Sequence, residues 1–215
     1  GQITQQVPGW ECYEKVNGEF VLTDKFKNWI KEYGGVGAIE GLIRSGHWVK
    51  KFYGNGIELE DRVKVANMIQ QYIKENTRVP IPAMIQIEAP HGVYALGGTV
   101  FPENICNACS FNPDLYEEMM SAIGKEIKLS GNHIAFVTML DVAKDPRWGR
   151  TEECYGEDPF ISAVFAKRAV KAIKSAGVLS CSKHFLGCGA SEGGIHCAEV
   201  SMGEREMRDV HLPVT

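Results

Sequence analysis

The sequence contains no uninterrupted apolar run of the ~18 to 20 residues that a membrane helix needs, and residues 1–10 lack the basic-then-apolar pattern of a secretory signal. No membrane partner is expected. Basic residues do not outnumber acidic ones: Lys+Arg 23 against Asp+Glu 27 gives a net charge of -4. The electrostatic footprint of a nucleic-acid binder is therefore missing. No G-x-x-x-x-G-K-[ST] or G-x-G-x-x-G follows a strand-like segment, so no nucleotide cofactor, and no cofactor of any kind, is expected. Internal repeats and low-complexity linkers are also lacking. The seven cysteines are an odd number in a chain too large to need staples. That pattern favours reduced thiols and a cytoplasmic location. Since the sequence does not begin with Met, a processed or excised piece whose signal was removed, and hence secretion, stays open.

What is present fits a globular chain. Hydrophobic residues make up 44% and charged residues 23%, enough apolar material for a core, and 1–215 is read as one domain. Four times a short apolar run is followed by a segment of helical period. This alternation predicts an α/β fold with a parallel sheet, its strands at 36–42, 83–87, 135–140 and 178–182.

The helices carry clearer signals. Leu59, Val63, Ala66, Ile69 and Ile73 predict a buried stripe on a helix over 58–75. Asn112-Pro113 and Asp158-Pro159 each read as an N-cap followed by Pro at the first helical position. Leu115, Met119, Ile123 and Ile127 give the first of these helices its apolar face; Ile161, Val164, Phe165 and Ile173 serve the second. Gly131 and Gly177 are expected to end them. A short helix over 23–33 and a capping box of Ser201 and Glu204 complete the set.

Three polar, glycine-rich stretches follow strands, at 89–103, 142–159 and 183–199, and loops at the C-terminal ends of parallel strands are where such folds hold ligands. Glu88 ends one strand and could accept two hydroxyl hydrogen bonds, but a solvated or helix-capping acid looks the same. Asp141, Asp145, Arg147, Trp148 and Arg150 crowd one loop, where an arginine directed at a ligand and an arginine holding the loop are equally readable. Trp148 reads as packing. Lys183 and His184 stand at the end of the last strand, where an isolated ammonium is costly and needs either a substrate or an acid such as Asp141 or Glu88.

A Cys/His metal protein is an alternative. Cys106 and Cys109 form one C-x-x-C, and His184, Cys188, His196 and Cys197 share a loop. No second C-x-x-C lies at finger-like spacing, so buried thiols are preferred and no metal ligand is assigned.

Taken together, Glu88 to Gly92, Thr99-Val100-Phe101-Pro102, Asp145-Pro146-Arg147-Trp148-Gly149-Arg150, Tyr155-Gly156-Glu157-Asp158-Pro159 and Lys183-His184-Phe185 resemble glycoside hydrolase family three. The likeness continues through Gly189 to Gly194 and Glu204 to Pro213. The resemblance implies a TIM-like (β/α)-barrel domain and a retaining hydrolase of terminal non-reducing β-D-glycosides, similar to β-glucosidases and β-xylosidases in carbohydrate metabolism. It also implies a sugar-binding set of Glu88, Arg150, Lys183 and His184, with Lys183 and His184 joined by a cis peptide bond. Asp141, Arg147 and Trp148 would support that set.

The same resemblance places the nucleophilic Asp in a Ser-Asp motif beyond Pro213, and the acid/base carboxyl later still. No catalytic residue is therefore assigned here, and the chain alone is expected to be inactive. About four βα units make half of the eight that close a barrel. The expected partners are a small carbohydrate and the remaining half of the barrel, from the same longer chain or another. A non-catalytic sugar-binding or self-assembling half-barrel is the alternative.

Overall fold

The computed structural model describes residues 4–215. Seven strands and six helices follow one another as β1 (Gln6–Pro8), β2 (Tyr13–Val16), β3 (Glu19–Leu22), α1 (Asp24–Tyr33), β4 (Ala38–Glu40), α2 (Arg62–Asn76), β5 (Met84–Glu88), α3 (Asn104–Cys109), α4 (Pro113–Leu129), β6 (Ile134–Phe136), α5 (Pro159–Ser175), β7 (Leu179–Ser180) and α6 (Glu204–Glu206). Five strands form one parallel sheet in the order β1-β4-β5-β6-β7, flanked by helices; β4 to β7 fall on the four runs that the βα alternation predicts, and β1 is an edge strand that it does not. The register pairs Val7 with Ile39 and Ile39 with Ile85, all three buried. Among the described residues no helix is long and apolar enough to cross a membrane.

Backbone packing divides the chain into two compact units: Gly1–Glu88 with Val93–Thr99 and Glu126–Ala135, and Ala89–Gly92 with Val100–Lys125 and Phe136–Thr215. In the first, β2 and β3 form an antiparallel hairpin outside the main sheet. The alternation of βα units gives no sign of it. Its local signal is Asn17-Gly18, both at positive φ (51° and 85°), the dipeptide that tight hairpin turns favour. Thr23 caps α1 by accepting the Phe26 amide through its hydroxyl at 3.1 Å.

Helix α2 corrects the predicted stripe. Val65, Ala66, Ile69 and Ile73 are buried, whereas Leu59 and Val63 are exposed. Leu59 belongs to a 3-10 turn that precedes the helix, and Val63 lies about a quarter turn off the buried face. That face is completed by Arg62, which donates to Glu126 Oε1 (3.1 Å), Ser130 Oγ (2.9 Å) and the Leu96 carbonyl (2.8 Å). Acceptors around both terminal nitrogens let this guanidinium occupy a core position, although its Nε is buried without a partner.

Both Asn-Pro and Asp-Pro starts form as read. Asn112 Oδ1 accepts the Leu115 amide (3.1 Å), and Asp158 Oδ1 accepts the Ile161 amide (2.8 Å). The apolar face of α4 runs through Tyr116, Met120, Ile123 and Ile127, leaving Leu115 exposed. In the second unit α5 buries Phe165, Ala166, Ala169, Ala172 and Ile173. The capping box does not form: α6 starts after Gly203 without a side-chain cap and runs into a π turn, Met207–His211. The thiols also differ from expectation. Cys12 and Cys154 are buried, but Cys106, Cys109, Cys181 and Cys197 are exposed.

Candidate active site

Beyond the short strand β6 the chain stays extended. Lys183 donates its amide to the Thr138 carbonyl (2.9 Å), and Leu140 donates to the Lys183 carbonyl (2.6 Å), so segments 138–140 and 183 pair in parallel. This pairing brings Asp141 and His184, which follow directly, to the same strand ends. The Lys183–His184 peptide bond is cis, as are Val137–Thr138 and Phe185–Leu186.

Asp141 is fully buried and both its oxygens are used. Oδ1 accepts the Gly189 amide (3.1 Å), while Oδ2 accepts the His184 amide (3.2 Å) and faces His184 Nδ1 at 2.7 Å. Gly189 is required at that approach, since a Cβ there would lie 2.7 Å from the Val142 carbonyl. On the far side of the ring, Arg150 Nη1 meets His184 Nε2 at 3.1 Å. A guanidinium can only donate. Nε2 must therefore accept, the ring proton sits on Nδ1, and Nδ1 donates to Asp141.

Arg150 is held in turn by Glu153 through a two-point pairing, Nε to Oε1 at 2.6 Å and Nη2 to Oε2 at 2.8 Å. Burial pushes the Glu153 carboxyl up, but the Arg150 hydrogen bonds and charge, with Lys183 and His184, outweigh it and hold Glu153 below the usual carboxylate range. The same pairing raises Arg150, so both groups stay charged. Neighbouring spacing, Arg150 then Glu153, was the available signal for this partner. Lys183 holds its ammonium 5.8 Å from the centroid of the Phe136 ring. Arg150, Lys183 and His184 are thus all half-exposed, backed by buried or paired acids.

Arg147 lies elsewhere. Its side chain is largely exposed and forks onto Asp145 of its own turn, which holds the Asp145 carboxyl down at about 2. Trp148 is 2% exposed, packs with Met139 and Cys154, and donates its indole N–H to His196 Nδ1 at 3.3 Å. It is a packing residue. Glu88, in the first unit, ends β5 half-buried, and its carbonyl accepts the Tyr94 amide at 3.1 Å. In the second unit His91 binds the Phe101 carbonyl through Nδ1 (2.8 Å) and Glu103 Oε1 through Nε2 (3.0 Å).

Ligand-capable atoms of Asp141, His184 and Cys188 lie within 4.8 Å of one another. Asp141 already accepts three N–H groups, and the cationic Arg150 faces the imidazole. A cation would have to displace the first and tolerate the second, so the chemistry of this donor set is that of a hydrogen-bond network. Cys106 and Cys109 belong to no such group among the described residues.

The profile of the Glycosyl hydrolase family 3 N terminal domain matches residues 14–214. The chain belongs to glycosyl hydrolase family 3. A β-xylosidase of Formosa agariphila is 32% identical over 164 residues, covering 70% of this chain and 22% of that protein. The periplasmic β-glucosidase of Salmonella typhimurium is 30% identical over 151 residues, 67% of this chain and 19% of its own length. Among solved structures, a β-glucosidase from Erythrobacter marinus superposes with a TM-score of 0.78 at 30% identity, covering 89% of this chain and 25% of that one. The family 3 chain described here thus spans about a fifth to a quarter of the length of these relatives.

Proposed function

We propose that this chain supplies terminal-sugar recognition in a retaining β-glycosidase that releases non-reducing β-D-glucosyl or β-D-xylosyl units. The observation that carries this reading is the Asp141–His184–Arg150–Glu153 chain of hydrogen bonds. It fixes an imidazole and a guanidinium at strand ends with their charges and tautomer set, and leaves them partly exposed beside the Lys183 ammonium. Charged donors and acceptors held in this way suit vicinal hydroxyls, which need directional hydrogen bonds. Glu88 joins the set on its motif alone.

Retention requires two carboxyl groups ~5 to 5.5 Å apart, one of them free to attack the anomeric carbon. Asp141 and Glu153 are both engaged by donors of the chain itself, which, with the family resemblance, supports placing the nucleophile and the acid/base in the remaining half of the barrel. An apolar groove of about 820 Å³ between α5 and the C-terminal turn, lined by Leu140, Ala166, Val170 and Val214, offers it surface to cover. The test is twofold. The 215-residue chain should bind glucose or xylose by calorimetry yet release no nitrophenol from nitrophenyl β-glucoside or β-xyloside. Turnover abolished by a substitution within this chain would place the nucleophile here and overturn the reading.

A further inference from the structure

Within the second unit, four buried polar side chains from separate elements meet behind the site. Asn104 opens α3, Tyr116 lies near the start of α4, Tyr155 precedes α5, and Thr138 stands three residues before Asp141. The Asn104 amide nitrogen donates to the Glu153 carbonyl at 2.9 Å. A carbonyl only accepts, so the Asn104 oxygen is turned the other way and takes the Tyr116 hydroxyl at 3.2 Å. That uses the one proton Tyr116 has. Its oxygen then accepts from Tyr155 at 2.7 Å, and the Tyr155 oxygen accepts from the Thr138 hydroxyl. Every proton has a single direction, from Thr138 through Tyr155, Tyr116 and Asn104 to the Glu153 carbonyl.

The two ends of this hydroxyl chain are the two supports of the site. At one end the Thr138 carbonyl accepts the Lys183 amide (2.9 Å), the pairing that brings His184 to Asp141. At the other, Glu153 forks onto Arg150, whose Nη1 reaches His184. The turn that carries Arg150 and Glu153 closes on local bonds, Glu153 amide to Arg150 carbonyl (3.2 Å) and Cys154 amide to Thr151 carbonyl (3.1 Å). Those set its shape. The Asn104 amide ties it to a helix outside the turn. Phe165 of α5 packs on both tyrosine rings, with centroids 5.1 Å and 5.7 Å away. In so apolar a setting a pair of phenylalanines costs little, whereas hydroxyls that must all be satisfied specify direction.

We infer that Asn104, Tyr116 and Tyr155 are positioning residues for terminal-sugar recognition. Their hydrogen bonds hold the Glu153 backbone, and through its carboxylate the Arg150 guanidinium, in register with the strand end that carries His184. The inference rests on the proposed role of Arg150 and His184 in binding that sugar.

The test reads the Arg150 Nε–H resonance of the labelled full chain in mildly acidic buffer without sugar, then glucose and xylose affinity by calorimetry. Asn104→Leu is of similar volume and cannot donate. It should shift the Arg150 signal and speed its exchange with solvent, while the Arg147 Nε–H, paired with Asp145, stays where it is. Sugar binding should weaken about three- to tenfold, the size of one hydrogen bond. Tyr155→Phe removes one hydroxyl and keeps the ring against Phe165. It should move both readouts the same way by less, and it decides the matter if Asn104→Leu does not fold. Variants that unfold at lower urea yet keep the native Arg150 signal and sugar affinity reduce the hydroxyl chain to core packing and overturn the inference. If neither sugar binds the native chain, the terminal-sugar reading falls by itself; the Arg150 signal, read without sugar, still accepts or rejects the hold on the guanidinium.

Discussion

Asp141 Oδ2 lies 2.7 Å from His184 Nδ1, and because Arg150 donates to the opposite ring nitrogen, this contact fixes the imidazole as the Nδ1–H tautomer. The oxygens of the aspartate are spent on the chain itself, and they fix which ring nitrogen of His184 accepts from Arg150.

Asp141→Asn keeps the shape and removes this control. An amide cannot accept from Gly189, the His184 amide and Nδ1 at once, because its NH2 end must face one of those donors. The variant should lose about 1 to 3 kcal/mol of stability in urea unfolding, the usual cost of an unsatisfied buried donor. The ¹⁵N shifts of His184 should move toward a mixture of tautomers. Unchanged shifts would show that Asp141 does not set the tautomer.

Glu153 is depressed by Arg150, so its contribution to stability is present above the unfolded carboxylate pKa, about 4.3, and is lost as pH falls through its lower folded value. Asp145, held at about 2 by Arg147, follows the same sign. Stability measured from pH 5 down to pH 2 should fall less steeply in Glu153→Gln than in the native chain. Parallel curves would contradict the pairing.

Glu103 has the opposite sign. Burial raises it, His91 lowers it, and Glu152 and Glu153 raise it again, with the net direction upward. Its favourable, protonated contribution is present below the unfolded value and is lost as pH rises through the folded one. Glu103→Gln, whose amide can donate to His91 Nε2, should therefore raise the unfolding midpoint at pH 7 more than at pH 4.

Arg62→Ala should cost about 3 to 5 kcal/mol, because it strips donors from Glu126, Ser130 and the Leu96 carbonyl inside a packed helix face. Arg62→Met, of similar length and apolar, should recover much of the loss. Urea denaturation of both variants separates lost packing from lost charge pairing.

Local rules made the helix starts at Asn112 and Asp158 legible, since a cap needs only four neighbouring residues. Periodicity failed where two residues could claim one position. Arg62 fills the place that apolar spacing gives to Val63, because Glu126, 64 residues away, supplies its partner. Asn17-Gly18 carried the hairpin signal in plain view. At the site, strand-end placement and motif order pointed to Arg150, Lys183 and His184. The anchoring role of Asp141 depends on the pairing of segments 138–140 and 183, which no local pattern encodes.

The most direct test of terminal-sugar recognition is a titration of the isotopically labelled chain with glucose or xylose, observed at the side-chain resonances of Arg150, Lys183 and His184. All three should shift along one saturable curve, and Lys183→Met should abolish it while Asp145→Asn leaves it unchanged. A folded chain in which neither sugar moves any of the three would contradict the account.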